Sequence, residues 1–503
     1  MTATAITRAQ IPTVTVGTNI LMVSGFSTLG DFGAAAIYML VGAGGGPMAI
    51  QDLSGAWYQL VINGCANVGW FGAAGNGTKA SGGSDDTAAI ISAISALAAA
   101  GGGTLHFNAD GIYRVKDTGY GAGIFNAYGN VSFDGHGCTI LADAAIHYFL
   151  INSQQPVSTT ITSDVTPGTN TAAVASTAGF FVGDTIYYYL YQDPNDANES
   201  SLFGFATILA IGSNQFTFDI TWDRPSSIAS ATHNYTKSIS RLFPFIQNIF
   251  LKNFTLDETT AAAGTSLAST YTDLCRNVIV ENVVSKAGSG HVSYFTDNVN
   301  YRNFLISNCS RCTNFAQSTN GYVENLWAKN LFIPTGAGNE QYFGNLFYTE
   351  FYAEVSAKNI YLNNSASSLS TFVPLVSTHN CKLHVEDLHI SGLGGFQLYR
   401  DLTSTESVTI KNLTLDVATA LTTLPNFKGL FNYRIAGGAI THIDLDALIT
   451  STFTIATLPT ILPAGSRTFV SNGVASPVLG VIPSTTGTQL DPVYFDGTNW
   501  RYG

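Results

Sequence analysis

The chain has 503 residues, of which 46% are hydrophobic and only 11% are charged, and its net charge is −12. Ordinary soluble domains contain about 25% charged residues. The abundance of glycine, phenylalanine and tyrosine favours short strands and tight turns over helix bundles. The chain has no run of Lys or Arg, which argues against a nucleic-acid partner. The six cysteines are scattered, so we expect free thiols packed in a core, Cys309 and Cys312 among them.

The first 70 residues consist of short apolar runs separated by glycine. The N-terminus lacks a basic start followed by an apolar core, so we expect no signal peptide. The most apolar stretch, Leu21 to Leu40, is interrupted by glycines and by Asp31, so we expect no membrane insertion. Residues 1–70 are predicted to form a small β-rich module.

The stretch from Ser84 to Phe107 predicts one short helix followed by a strand. Ser84 or Asp85 can cap the first turn, and three glycines from Gly101 end the helix. Ile90, Ile91, Ile94, Leu97 and Ala98 fall near helical spacing and give the helix one apolar face. Such a helix needs a flat apolar surface on which to pack.

A motif of a polar residue, Asn or Asp, and then alternating apolar residues recurs after residue 245. Its Asn or Asp positions are 253, 282, 303, 330, 359, 387 and 412, with spacings of 29, 21, 27, 29, 28 and 25 residues. A period in this range is typical of a solenoid, and units made of strands predict a parallel β-helix. An Asn at each turn can adopt the left-handed conformation and bond to its neighbours above and below. The opening helix is then interpreted as a lid on the first coil.

Two regions depart from this period. Residues 153–244 contain hairpin-like strands with turn glycines, which predict a small inserted β domain. Residues 451–503 contain several prolines and predict a separate C-terminal β module. The helix and first coils are assigned to residues 71–152, and the main β-helix to residues 245–450.

The segment from Trp70 to Val115, "WFGAAGNG…SDDTAAI…GGGTLHFNADGIYRV", resembles the start of pectate-lyase-like β-helix proteins, above all bacteriophage tailspikes. Asn76 replaces the aspartate common in that family, and "KASGGS" is an insertion. The resemblance implies a right-handed parallel β-helix that forms a homotrimer on a virion tail and binds, and usually cleaves, a bacterial surface polysaccharide. It also implies that residues 1–70 attach the protein to the virion or to another tail or baseplate protein, and that residues 451–503 form a trimerisation or cap module.

Hydrolysis of a glycosidic bond requires two carboxyl groups, about 5 Å apart for retention and about 6.5–9.5 Å apart for inversion. These separations correspond to one or two coils of about 4.8 Å, so the acids should lie on neighbouring coils. We predict Glu340 and Glu350 as the pair, with Asp297 as the alternative member. Asp257, Glu258 and Asp273 form a second acidic cluster in the sequence.

Residues near these acids are predicted to bind the polysaccharide, and they are His291, Tyr294, Arg311, Tyr342 and His379. The group His384, Glu386, Asp387 and His389 resembles a metal site, but Asp387 falls at a coil turn, and we expect neither a metal nor another cofactor. A lyase of the same fold stays open, with Arg311, or Arg400 with Asp401, neutralising a uronate. A non-catalytic receptor-binding tail protein and a purely structural tail protein also stay open, because fold alone does not decide function.

Overall fold

The computed structural model describes residues 6–29, 31, 35–42, 48–78, 82–116, 125–126, 130–143, 148–191, 201–222, 237–259, 269–288, 290–331, 345–350, 353–363, 375–377, 381–391, 399–401, 407–416, 442–445, 448–449, 467–473, 489–496 and 498–502. The chain divides into two units, Met1–Arg302 and Asn303–Gly503. The regular structure of the described residues is β-strand, apart from one α-helix and two short 3-10 helices at Arg8–Thr13 and Val68–Phe71. None of the described helices is long and apolar enough to span a bilayer.

The N-terminal part of the first unit is a five-stranded sheet in the order β1-β2-β3-β5-β4. Its strands are β1 Ile6–Thr7, β2 Ile20–Gly25, β3 Ala36–Val41, β4 Ala49–Gln51 and β5 Trp57–Leu60. One face of the sheet is buried and carries Val23, Tyr38 and Tyr58. The alternation of apolar and polar positions explains this face, because successive strand residues point to opposite sides.

The predicted helix is α1, Thr87–Ala99, and it buries Ile90, Ile94 and Leu97. It contacts the Val68–Phe71 turn and the strands β6, Cys65–Asn67, and β7, Gly103–His106. Ile91, assigned from the sequence to the apolar face, is 37% exposed. The two aspartates differ from simple helix caps: Asp85 accepts the Thr87 N–H, whereas Asp86 accepts the N–H groups of Ala74 and Gly75 and so fixes the preceding segment.

The first coils of the stack are built from parallel strands. After β6 and β7 come β8 Ile112–Val115, β9 Phe125–Asn126, β10 Val131–Asp134, β11 Thr139–Ala142 and β12 Phe149–Asn152. Strand β10 pairs with β7 in parallel, with Phe133 opposite Leu105, and β11 pairs with β8 in the same way. Both Phe133 and Leu105 are fully buried, so each coil adds its apolar residues to a common interior.

A six-stranded antiparallel sheet follows, in the order β13-β18-β15-β16-β17-β14. Its strands are β13 Val157–Thr160, β14 Thr171–Ala173, β15 Thr185–Tyr191, β16 Ser201–Gly212, β17 Gln215–Phe218 and β18 Ser238–Arg241. Its buried core includes Ile186, Ile208, Phe216 and Trp222. All six strands lie within residues 153–244, where the sequence loses the coil period.

Longer coils resume after this sheet. They comprise β19 Ile246–Asp257, β20 Thr270–Asp273, β21 Cys275–Lys286 and β22 His291–Ser307. Strand β19 pairs in parallel with β10, β11 and β21. A column of aromatic contacts fills the interior, where Phe254 meets Phe107 and Phe149 at centroid distances of 5.2 Å each. The predicted mainly β chain of stacked parallel strands is confirmed in this unit.

Asparagines form two hydrogen-bonded ladders at the coil corners of the first unit. Asn282 Nδ2 donates to Asn253 Oδ1 at 3.0 Å, as the recurring motif predicted. A second ladder joins Asn277 to Asn248 at 3.0 Å and Asn298 to Asn277 at 2.8 Å. All five residues have φ between 54° and 63°, a left-handed conformation that asparagine tolerates better than most residues.

The second unit continues with parallel strands and ends in a small antiparallel sheet. The parallel strands are β23 Arg311–Thr319, β24 Gly321–Lys329, β25 Asn345–Glu350, β26 Glu354–Asn363, β27 Leu375–Ser377, β28 Lys382–Ser391, β29 Tyr399–Asp401, β30 Ser407–Asp416, β31 His442–Leu445 and β32 Leu448–Ile449. The antiparallel sheet comprises β33 Arg467–Gly473, β34 Gln489–Phe495 and β35 Trp500–Tyr502. Cys309 and Cys312 are buried free thiols, as expected.

The corner ladder of the second unit corrects one assignment made from the sequence. Asn325, not Asn330, bonds to Asn303 at 2.9 Å, and Asn359 bonds to Asn325 at 2.9 Å. Asn330 belongs to a different corner, where it donates to Asn308 at 3.2 Å. The register places Lys358 opposite Glu386 and Ile360 opposite Leu388, so the ladder position continues to residue 387.

Candidate functional site

Strand β20 carries a tyrosine and an aspartate, Tyr271 and Asp273, on the outer face of the coils. Thr270 and Thr272 are fully buried and face the interior, so the alternation turns Tyr271 and Asp273 outward. Strand β12 lies on one side, with Asn152 opposite Asp273, and β22 lies on the other, with Tyr294 opposite Asp273. Asp273 therefore lies between two polar neighbours on adjacent coils.

The Asp273 carboxyl group is shielded from water although the residue as a whole is only partly buried. Its Oδ1 atom accepts no hydrogen bond from the described residues, and the neighbouring Leu274 N–H donates to the Tyr294 carbonyl oxygen at 3.3 Å. Burial raises the pKa of Asp273 to about 7, because the charged form loses its hydration. About half of the Asp273 carboxyl groups consequently keep a proton at pH 7, which suits a general acid.

Two further oxygens near Asp273 are buried without a hydrogen bond inside the described part of the chain. They are Asn152 Oδ1, on the neighbouring coil, and Tyr187 Oη, from β15 of the six-stranded sheet. Burial raises the pKa of Tyr187, and the nearby charges of Tyr189 and Asp273 raise it further. Buried polar atoms normally have partners, so these oxygens form an unusual, incompletely hydrogen-bonded group around Asp273.

Aromatic rings flank the acid. The Tyr271 and Tyr294 ring centroids are 5.5 Å apart, with an angle of 33° between the ring planes. Both side chains are half-buried, so part of each ring reaches the surface. Rings with a polar tip and an apolar body suit sugars, which present both C–H and O–H groups.

A second carboxyl group lies around the next corner of the same coils. The chain turns at Leu274 and Phe295, which have φ of 50° and 47°. Beyond this corner, Arg276 Nε lies 3.0 Å from Asp297 Oδ2. The Arg276 guanidinium also lies 5.4 Å from the centre of the Phe205 ring of the six-stranded sheet. Apolar residues rarely take positive φ, and here Leu274 and Phe295 pack against the aromatic residues of that sheet.

The structure places Tyr294 opposite Asp273 and Asp297 beyond the corner beside Arg276, and it corrects the prediction for His291. That side chain is fully buried inside the coils, with Nδ1 2.6 Å from Thr270 Oγ1 and Nε2 3.3 Å from Ser285 Oγ. Burial lowers the pKa of His291 to about 3, so it is neutral. A residue enclosed in this way does not contact a polymer on the outer surface.

The other predicted residues lie elsewhere. Glu350 ends β25, opposite Ala316, and only 8% of it is exposed. Arg311 begins β23, opposite Asn345, and only its main chain is described. Glu340, Tyr342 and His379 lie outside the described residues.

The acidic cluster predicted from Asp257, Glu258 and Asp273 is split by the fold. Ser269 Oγ donates to Glu258 Oε1 at 3.3 Å, at the start of β20, whereas Asp273 ends that strand. Four residues of strand separate these ends by about 13 Å, beyond the range of an acid pair. Burial raises the pKa of Glu258 to about 8. Asp257 accepts bonds from Thr259 and lies 3.9 Å from Lys286.

Comparison with known proteins yields similarity at the level of structure. No protein-family model matches the chain, and no curated protein sequence matches it. The enzymatically active domain of tailspike protein 2 of bacteriophage CBA120 is 10% identical, with 99% of this chain and 69% of that chain covered and a TM-score of 0.43. The tailspike gp61 of Pseudomonas phage phi297 is 10% identical, with 80% and 77% covered and a TM-score of 0.36. The tailspike gp49 of Pseudomonas phage LKA1 is 13% identical, with 87% and 99% covered and a TM-score of 0.34. The tailspikes to which the Trp70–Val115 segment was predicted to be related are thus among the solved structures similar to this chain.

Proposed function

We propose that this protein is a bacteriophage tailspike that binds a bacterial surface polysaccharide and cleaves it by glycosidic hydrolysis. The observation that carries the proposal is the Asp273 carboxyl group, whose pKa burial raises to about 7 and which lies on the outer face of the coils beside Tyr271 and Tyr294. The Trp70–Val115 segment supports the tailspike assignment. The same proposal includes a homotrimer, attachment to the virion through residues 1–70 and the division of the chain into five domains.

In this proposal Asp273 is the general acid. Its proton moves to the glycosidic oxygen as the bond from that oxygen to the anomeric carbon breaks. Asp297, paired with Arg276, acts on the opposite side of the sugar, either as a base toward water or as the nucleophile. Tyr271 and Tyr294, whose side chains are only half-buried, orient the sugar.

The test is incubation of the purified protein with capsular, exopolysaccharide and lipopolysaccharide preparations from a panel of host strains. A fall in polymer size with one new reducing end per cut supports hydrolysis, whereas an ultraviolet-absorbing unsaturated uronate indicates a lyase. Binding without a fall in polymer size would favour the non-catalytic receptor-binding protein. If the protein neither binds nor cleaves any polysaccharide of the panel, the result would favour a structural tail protein.

Variants of the acids locate the chemistry. Asp273→Asn is expected to lower kcat by about 10²–10⁴-fold while polysaccharide binding is retained. Glu258→Gln is the matched control, because it neutralises an equally buried acid about 13 Å away and should leave kcat unchanged. The pair Glu340 and Glu350 stays a prediction from the sequence. Full activity in Asp273→Asn together with loss in Glu350→Gln would transfer the catalytic role to that pair.

A further inference from the structure

Two histidines from successive coils meet near the beginning of the stack. His106 ends β7 directly opposite Asp134 at the end of β10, and His136 follows in the next turn. The two imidazole rings are stacked with centroids 5.2 Å apart, and His106 Nδ1 lies 3.0 Å from His136 Nε2. His136 is exposed and His106 is half-buried, so solvent reaches the pair.

Asp134 completes a group of three metal-ligating side chains. One ligand atom from each of His106, Asp134 and His136 lies within 4.8 Å of the others, and this is the one such group among the residues the structure describes. Asp134 Oδ1 lies 3.8 Å from His136 Nδ1 and accepts the N–H of His136 at 3.2 Å. Asn253 Nδ2 donates to the same oxygen at 2.9 Å. The carboxylate is therefore held in place from both sides.

The separation of the ring nitrogens fits a shared metal ion. Imidazole nitrogens bind zinc at about 2.0–2.1 Å, and with that bond length a 3.0 Å separation subtends about 94° at the metal. This angle is close to the right angle of square-planar and octahedral ions, and an opening of about 0.3 Å reaches the tetrahedral angle of zinc. The 3.0 Å separation is also that of a hydrogen bond between the two nitrogens, and a bound metal ion would replace that bond.

Lys252 is the cation that already faces this carboxylate. Its Nζ lies 3.1 Å from Asp134 Oδ2, and the residue is opposite Asp134 on β19. A metal ion bound to this carboxylate would be repelled by the neighbouring ammonium group. Removal of the lysine charge should consequently strengthen metal binding.

We propose that His106, His136 and Asp134 form a binding site for a late first-row divalent metal ion such as Zn²⁺ or Ni²⁺. The ion joins the end of β7 to the β10–β11 turn, and Asn253 connects this turn to the next coil. The site stabilises the coils that lie next to α1, and it is separate from the acids of the proposed cleavage reaction.

The experiment uses untagged full-length protein in which the exposed thiol Cys65 is replaced by serine, because thiolates also bind these ions. Calorimetric titration with ZnCl₂ and NiCl₂ should give one site per chain, and Mg²⁺ should give none. At a hundredfold excess over Kd the melting temperature should rise by about 2–3 °C. Absence of saturable binding at submillimolar metal would overturn the proposal.

Variants and direct location of the metal complete the test. His106→Gln and His136→Asn should each weaken binding at least about tenfold, and asparagine suits the positive φ of 49° at position 136. His384→Gln, on β28, is the matched histidine control and should bind as the parent does. Lys252→Leu should bind more tightly. If a variant does not fold, anomalous scattering from zinc-soaked crystals of the parent tests the site directly. A peak between the two histidines supports the site, and peaks found only at other positions overturn it.

Discussion

Replacement of Asp273 by asparagine should remove the cost of a buried charge. The unfolded chain releases the proton of this residue near pH 3.9, whereas the folded chain releases it near pH 7. Because the folded pKa is raised, the stability of the parent is unaffected below about pH 4 and falls as the pH rises from 4 to 7. Above pH 7 the loss amounts to as much as about 4 kcal/mol, at about 1.36 kcal/mol per pKa unit.

Asp273→Asn does not ionise, so it should equal the parent near pH 4 and exceed it at pH 8. With unfolding entropy of about 2.1 cal/mol/K per residue, cooperative unfolding of the chain converts 4 kcal/mol into a rise of about 4 °C. The assay is a series of melting curves from pH 4 to pH 8.5, with Glu258→Gln as a control that should show a similar rise without loss of cleavage activity. A melting temperature for Asp273→Asn that differs from that of the parent by the same amount at all pH values would mean that folding does not raise the pKa of Asp273. The reasoning about the general acid would then be refuted.

Three further predictions concern the stack itself. Asn282→Ala should lower the free energy of unfolding in urea by about 2 kcal/mol, because alanine disfavours φ of 54° and the hydrogen bond to Asn253 is lost. Asn282→Gly should recover about half of this loss, and equal losses for the two variants would contradict the conformational argument. Leu97→Ala, on the buried face of α1, should lower the free energy of unfolding by about 2–5 kcal/mol, whereas Ile91→Ala should lower it by less than about 1 kcal/mol. Similar losses for the two variants would show that α1 does not pack as described. Because the folded pKa of His291 is depressed, the protein takes up about one proton at this residue on unfolding between pH 6.5 and pH 3, and its stability falls as the pH falls. His291→Gln should remove this contribution to the pH dependence of the free energy of unfolding. An unchanged slope would place His291 in contact with solvent.

The fold was largely predictable because its signal is periodic. The Asn motif marks a corner at which few residues tolerate the backbone, and that requirement repeats with each coil. Individual corners were harder to assign, because each coil has several of them. Glu324-Asn325-Leu326 and Lys329-Asn330-Leu331 fit the motif equally well, and only strand pairing shows that Asn325 lies opposite Asn359.

The candidate site was less accessible from the sequence. Tyr294 and Asp297 were selected from their positions on a coil; the strand register places Tyr294 opposite Asp273, and Asp297 pairs with Arg276 beyond the corner. The pattern Thr-Tyr-Thr-Asp at residues 270–273 could have indicated an outward tyrosine and acid on one strand. The raised pKa of Asp273 depends on burial, which no local pattern encodes. His291 was misassigned for the same reason, since a polar interior is unusual in such a stack.

The antiparallel pairing of β13 with β18 bears on the order in which the chain assembles. Val157 lies opposite Arg241, so the two ends of the six-stranded sheet leave it side by side. Contact of β10 with β19 otherwise requires closure of a long flexible segment, at an entropic cost of about 4 kcal/mol. If the sheet folds first, its own hairpins bring these ends together, and the segment that must close before β10 meets β19 becomes much shorter. The early coils can then receive β19 as if it followed β12 directly, and growth of the stack proceeds between near neighbours.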